Sequence, residues 1–155
     1  MLPVRKHPRL GRDAYATVGA VCSIAIALRD RCRRFADPTL AAPTIDLLCE
    51  HAAKTRVTVF GYCLMPDHVH LLLSPSVDCD LVTFVGQFKN LAQRCFWRAG
   101  GQGLLWQKSF WDHFLRADED VAVVLDYILK NPVRAGLVER WQDYPFVGSL
   151  VFTLR

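Results

Sequence analysis

Residues 61–75 constrain this chain most, because a turn and an alternating strand there decide which side chains share a face. Tyr62-Cys63-Leu64-Met65 leads into Pro66-Asp67, a turn signal, and then into His68-Val69-His70-Leu71-Leu72-Leu73, an apolar run of strand length. Side chains alternate along a strand, so His68, His70 and Leu72 fall on one side and Val69, Leu71 and Leu73 on the other. Neutral imidazole is the commonest protein metal ligand, and two imidazoles at this spacing can share one divalent ion without bending the backbone. Histidines spaced in this way also occur on solvated strand surfaces, so the pair needs support from elsewhere in the chain.

The elements around this strand follow from periodicity. Tyr15 to Cys22, extending through Ile24 and Ile26, reads as a first strand, and Arg29 to Asp37 as an exposed basic connection. Pro38 suits the first turn of a helix to about Ala53, with Leu40, Ile45, Leu48 and Ala52 on one face. Arg56 to Cys63 is a strand joined through Leu64–Asp67 to the histidine strand as a hairpin. Asp80 caps a longer helix marked by Leu81, Phe84, Val85, Phe88, Leu91, Ala92, Cys95 and Phe96, which ends at Gly100-Gly101. A last strand is expected near Trp111–Leu115, then a helix capped by Asp118, starting at Glu119 and stopping at Asn131 before Pro132. The order strand, helix, strand, strand, helix, strand, helix predicts an α+β, ferredoxin-like split β-α-β domain: a central antiparallel sheet with helices packed on it and an added C-terminal helix.

Composition narrows the class. At 155 residues, 52% hydrophobic and 22% charged, the chain is expected to form one domain spanning 1–155 with a buried core. The net charge of +4 is unevenly spread: Arg5, Lys6, Arg9, Arg12, Arg29, Arg31, Arg33 and Arg34 face only Asp13 and Asp30 within the first 34 residues. Residues 1–12 therefore read as a weakly ordered basic arm, and the asymmetry suggests a polyanionic partner. Six cysteines without a C-x-x-C pair read as reduced thiols of a cytoplasmic protein. The apolar run Ala16–Leu28 follows basic residues as a signal peptide does, but it is too short to span a membrane and rich in strand formers, so it is assigned to the fold.

The second informative stretch runs from Asp126 to Val138. Positions i and i+4 share a helix face, so the Tyr127 hydroxyl and the Asn131 amide can point the same way. A tyrosine oxygen can act as a covalent nucleophile and an amide oxygen can ligate a magnesium-type ion. Laid across the histidine strand, this helix would complete a set able to cleave a phosphodiester.

Three motifs, Met65-Pro66-Asp67-His68-Val69-His70-Leu71-Leu72, Trp106-Gln107 with Phe110-Trp111-Asp112-His113, and Tyr127-Ile128 followed by Asn131-Pro132-Val133-Arg134-Ala135-Gly136-Leu137-Val138, resemble the single-tyrosine HUH transposases of bacterial insertion sequences. The likeness is closest to the REP-associated tyrosine transposases and runs from about residue 40 to 149. It implies that His68, His70 and Asn131 hold Mg²⁺ or Mn²⁺ and that Tyr127 attacks single-stranded or hairpin DNA to leave a 5′-phosphotyrosine and a free 3′-hydroxyl. It further implies strand transfer without a nucleotide cofactor, which agrees with the lack of a P-loop motif, and a monomer in this branch where insertion-sequence relatives form dimers. The opening region, Ala14 to Arg34, is more apolar than the family pattern.

DNA contacts are expected from Lys89, Arg94 and Arg98 on the second helix, Arg116 after the last strand, and Lys130 and Arg134 beside the nucleophile. Trp106, Phe110 and Trp111 are candidates for base stacking or, more in keeping with so dense a run, for the core. His113 is a candidate base for the tyrosine proton or a structural histidine. Two rival functions share the residues: a hairpin-binding protein that no longer cuts, and a hydrolase that uses water as its nucleophile.

Overall fold

The computed structural model describes residues 10–154; the expected arm at 1–12 falls largely outside them. The element order is α1 (Arg12–Ala16), β1 (Cys22–Ala27), α2 (Pro38–Thr55), β2 (Thr58–Met65), β3 (His68–Ser74), α3 (Leu81–Arg98), β4 (Trp111–Phe114), α4 (Val121–Leu129), α5 (Asn131–Arg134) and β5 (Val147–Gly148). The strands form one antiparallel sheet in the order β4-β1-β3-β2-β5. The first four follow the split β-α-β order, and β5 extends the edge beyond β2. The histidine strand β3 is thus the middle strand.

Alternation divides this sheet into two unlike faces. Val69, Leu71 and Leu73 of β3, with Cys22, Ile24 and Ile26 of β1, are fully buried under α2 and α3 in the main core, together with Leu48, Phe84 and Phe88. The opposite face carries His68, His70 and Leu72, and α4 covers part of it through Leu125, Ile128 and Leu129 packed on Cys63, Met65 and Leu72. β1 contributes Ser23, Ala25 and Ala27 to that second face, so large and small side chains alternate along Cys22–Ala27. The small ones leave room above the sheet.

Helix ends follow their caps. Asp37 accepts from Thr39 N before Pro38 at the first turn of α2, and Asp80 accepts from Thr83 N at the start of α3. Two expectations are corrected. Tyr15–Cys22 is not a strand: Tyr15 lies in α1, fully buried, with its hydroxyl donating to Asp112 Oδ2 at 2.5 Å, and Gly19 at φ +91° turns the chain before β1 begins at Cys22. Burying a tyrosine against the sheet outweighs the strand propensity of Tyr15, Thr17 and Val18. Asp118 does not cap α4; Asp120 does, accepting from Ala122 N, because the Glu119 carboxylate is drawn back to Arg116 N and His113. β2 also runs two residues further than expected, to Met65, which pairs with His68 across a two-residue Pro66-Asp67 loop. The connection before α2 is two 3₁₀ turns and is exposed except for Phe35, which is buried against Trp106.

Gly61 sets how close α4 comes to the sheet. A Cβ there would stand 2.3 Å from Leu125 Cδ1, inside any allowed contact. Gly61→Ala is therefore expected to push Leu125 and α4 outwards and to cost about 1–3 kcal/mol, as overpacking does. For a domain of this size that is a fall in Tm of roughly 2–4 °C per kcal/mol, read by thermal unfolding; an unchanged Tm would show that Leu125 repacks freely.

Candidate active site

The central position of β3 fixes its histidines from both sides. β1 pairs Ala25 with His70 and Ala27 with His68, while β2 pairs Cys63 with His70 and Met65 with His68. The rings meet nearly edge to face, at 85°, with Nε2 of His68 3.1 Å from Nε2 of His70.

A charged chain stands behind His68. Its Nδ1 lies 2.7 Å from Asp67 Oδ1, and Arg31 donates from Nε to Asp67 Oδ2 at 3.1 Å, with Nη2 at 3.0 Å. Burial alone would raise the Asp67 pKa, but the His68 hydrogen bond and charge and those of Arg31 outweigh it and hold the carboxyl below its usual value. Asp67 is thus an acceptor, Nδ1 of His68 donates, and the lone pair of His68 Nε2 turns towards His70. Loss of water lowers the pKa of His68 despite Asp67, and lowers that of His70 to about 3, aided by the charges of His68 and Arg134. Both imidazoles are neutral at pH 7.

That state fits a divalent cation. Two ligands at right angles on an octahedral ion, each about 2.1 Å away, stand roughly 3 Å apart, close to the separation of the two Nε2 atoms. The carboxylate behind His68 is the usual outer partner of a ligating histidine. Among the described residues no cluster of three His, Cys, Asp or Glu side chains offers an alternative metal site.

A cleft of about 540 Å³ opens over the pair, and Tyr127, Asn131 and Arg134 line it with them. Tyr127 is 62% exposed on the outer part of α4. α4 stops at Leu129, and Lys130 passes the chain to α5, which begins at Asn131. Arg134 reaches back from α5: its Nη2 donates to the Tyr127 carbonyl at 2.6 Å and its guanidinium lies 3.6 Å from the Tyr127 ring centroid. Ser23, Ala25 and Trp111 contribute to the rest of the lining.

The cleft therefore gathers six of the residues singled out by sequence: His68, His70, Trp111, Tyr127, Asn131 and Arg134. The remaining cationic candidates lie elsewhere. Lys130 pairs with Asp126 at 2.8 Å on the exposed side of α4, and Arg116 is exposed beyond β4 near Glu119. Lys89 donates to the carbonyls of Gln107 and Ser109, tying α3 to the loop before β4. Arg94 and Arg98 are exposed on α3, which packs on the other face of the sheet. Trp106 is core, its indole N–H donating to Lys89 O, and Phe110 packs against that core. His113 is held by Glu119 at 2.9 Å and is not part of the cleft lining, so the structural reading of that histidine prevails. Sequence reasoning passed over Asp67 and Arg31. Asp67 was legible as the residue beside His68, whereas Arg31 approaches from 36 positions away.

Residues 21–131 match the IS200-like transposase family, more than half of the chain. The chain belongs to this family. As an IS200-like transposase it is 31% identical over 146 residues to a candidate REP-associated tyrosine transposase of Haemophilus influenzae, covering 84% of this chain and 80% of that one. A REP-associated tyrosine transposase of Escherichia coli K12 is 33% identical over 87 residues, 56% of this chain and 50% of that protein. The fold is shared with a REP-associated tyrosine transposase solved bound to a REP hairpin, at a TM-score of 0.70 and 22% identity, covering 93% of this chain and 82% of the other. A candidate transposase from Deinococcus radiodurans aligns at a TM-score of 0.54 and 22% identity, over 83% of this chain and 95% of its own.

Two predictions follow from the histidine geometry. Asp67→Asn removes the anionic acceptor, so ¹⁵N NMR of the metal-free protein is expected to show His68 losing its Nδ1–H preference, and Mn²⁺ affinity measured by calorimetry to fall about 10- to 100-fold; an unchanged tautomer and affinity would leave Asp67 without this role. The second concerns acid. The folded pKa of His70 is depressed below the unfolded value of about 6.5, so its contribution to stability is full above that value and is lost as pH falls towards about 3. His70→Gln is expected to flatten the slope of stability against pH over this window, by up to about 1.4 kcal/mol per pH unit, in denaturant titrations.

Proposed function

We propose that this transposase nicks and rejoins single-stranded DNA at hairpins, with Tyr127 as nucleophile and His68, His70 and Asn131 as holders of a Mg²⁺ or Mn²⁺ ion. The observation that carries the reading is convergence: two neutral imidazoles, an amide and an exposed tyrosine from separate parts of the chain line one cleft. The REP hairpin bound by the structural neighbour supports hairpin DNA as the substrate class.

Each residue has a defined task in this reading. Asp67 and Arg31 hold His68 in the tautomer that presents Nε2, and the small floor of Ser23 and Ala25 leaves space for the scissile phosphate. When bound, the divalent ion supplies Lewis-acid stabilisation of the charge growing on the phosphate oxygens. The Tyr127 oxygen attacks phosphorus in line, its proton passing to solvent or a base; the bond to the 3′ oxygen breaks, leaving a phosphotyrosine at the 5′ end and a free 3′-hydroxyl. Arg134, beside the Tyr127 ring and in the cleft wall, adds positive charge where the phosphate is received and ties α5 to α4. Attack by a second 3′-hydroxyl reverses the step, so no nucleotide triphosphate is consumed. That one chain lines the cleft with all of these groups supports a monomer as the acting unit.

The test is incubation of wild-type and Tyr127→Phe protein with labelled hairpin DNA from the gene's own flanks, with Mn²⁺ or EDTA, on a denaturing protein gel. A metal-dependent labelled adduct is expected with the wild type and none with the variant. Tight binding with neither adduct nor fragments would instead identify a hairpin-binding protein, and fragments without an adduct a water-using hydrolase.

A further inference from the structure

Trp111 is a large ring without a core. It is partly buried, yet it joins neither apolar cluster, although its neighbours Phe110 and Phe114 both pack on the larger one. Strand alternation is the reason. On β4, Phe114 lies against Tyr15 and Asp112 takes the Tyr15 hydroxyl, so both face the main core, while Trp111 and His113 point to the opposite face, the one that carries the histidine pair.

Register then places the indole beside the site. β1 pairs Ala25 with His70 on one side and with Trp111 on the other, so the three residues form one row across the sheet. Two strand spacings, about 10 Å, separate the backbones of Trp111 and His70, and the side chain between them is only the Ala25 methyl. Trp111 accordingly lines the same cleft as His70, Tyr127 and Arg134.

The ring is also braced. His113 lies nearly parallel to it, at 20° with centroids 6.3 Å apart, within the range of offset stacking. Nε2 of His113 is 2.9 Å from Glu119 Oε1, and the same oxygen accepts from Arg116 N at 2.9 Å. The Arg116 N–H and His113 hold the Glu119 carboxyl below its usual value, so it is an acceptor and Nε2 of His113 donates. The turn after β4 thus steadies the imidazole, and the imidazole backs the indole.

A last observation concerns the indole N–H. Those of Trp97 and Trp106 donate to the carbonyls of Gly103 and Lys89, whereas that of Trp111 has no hydrogen-bond partner among the described residues and is not buried. A flat apolar ring, a rigid mounting and an unused donor in a cleft that also holds a guanidinium match one ligand chemistry. A nucleobase offers a π-face to stack and acceptors on its edge, and it arrives attached to a phosphate. An aliphatic ligand would leave both the N–H and Arg134 unmatched.

We propose that Trp111 is a base-stacking subsite, which holds the nucleobase adjoining the phosphate received in the cleft. This rests on the reading of DNA as substrate, but not on Tyr127 or the metal. The phosphate is received over the middle strand and the base is seated over an edge strand, so one nucleotide spans the row from His70 to Trp111. The braced ring sets how far the strand advances across the cleft, and hence which phosphodiester lies over the histidine pair.

The test uses full-length protein in EDTA, with hairpin DNA from the gene's flanks carrying single-stranded arms, and follows tryptophan emission. Binding is expected to quench the wild type, as stacking of an indole on a base does. Trp111→Phe keeps a stacking ring, so it is expected to bind within about threefold of the wild type while losing most of the quench. Trp111→Ala is expected to weaken binding about 5- to 100-fold. An abasic residue is then moved through the arms one position at a time. At one position it is expected to cost the wild type as much as Trp111→Ala does, and to cost the Trp111→Ala protein nothing further, the non-additivity of two groups in contact. Equal quenching of wild type and Trp111→Phe, or losses that add at every abasic position, overturns the proposal. Should Trp111→Ala not fold, the quench comparison decides alone. A wild type that binds no hairpin removes the DNA reading and this subsite together, whereas a Trp111 effect without a Tyr127 adduct removes the nuclease chemistry and leaves the subsite standing.

Discussion

The hydrogen-bonded position of β3 between β1 and β2 is the constraint on which the rest of the molecule depends. An edge strand could fray or slip, but a middle strand held on both sides cannot move by one residue without sending every side chain to the other face. Register is therefore what keeps the imidazoles of His68 and His70 above the sheet and Val69, Leu71 and Leu73 in the core. The tight Pro66-Asp67 loop strengthens that register, and the same loop delivers the carboxylate that fixes the His68 ring. Sheet order and site chemistry are set by the same few residues.

The anchoring of that loop uses unusual backbone. Asp30 and Arg31 both adopt φ of +54°, a conformation costly for residues with a side chain. They are held there by a net of main-chain bonds: Leu28 N to Asp67 O, Arg29 N to Leu105 O, Arg31 N to Leu28 O and Phe35 N to Pro66 O. Phe35, packed on Trp106, pins the far end of the segment. The outcome of this local cost is the placement of the Arg31 guanidinium on Asp67.

Much of this was legible in the sequence, and what was not has a physical reason. The alternation in His68–Leu73, the cap at Asp80, Pro38 in the first turn of its helix, and the stop ahead of Asn131-Pro132 are local signals that packing reinforced. Tyr15 misled because strand propensity is a weak preference, and a buried ring with a hydrogen-bonded hydroxyl overrides it. Asp118 misled because several acids compete within three residues, and the choice of cap depends on His113, which belongs to another element. The pairing of Tyr127 with the histidines was expected from resemblance; that both sit over one cleft depends on Gly61 and on the small side chains of Ser23 and Ala25, whose spacing was visible but whose meaning required the sheet order. The cationic side chains were the least legible, since helical phase alone does not say which side of a sheet a helix will cover.

The two apolar clusters are unequal, and that inequality governs motion. One side of the sheet is sealed by two helices of 18 residues over a large core, and the other by a 9-residue helix whose Leu125, Ile128 and Leu129 rest on the buried Cys63, Met65 and Leu72. Opening free energies in a protein scale with the apolar contact that must be broken, so cooperative units separate along such lines. The tyrosine-bearing helix is the layer with least to lose: it can lift from the sheet while the histidines stay fixed in a framework that remains folded. Such a movement changes the shape of the cleft above the histidine pair without putting the fold as a whole at risk.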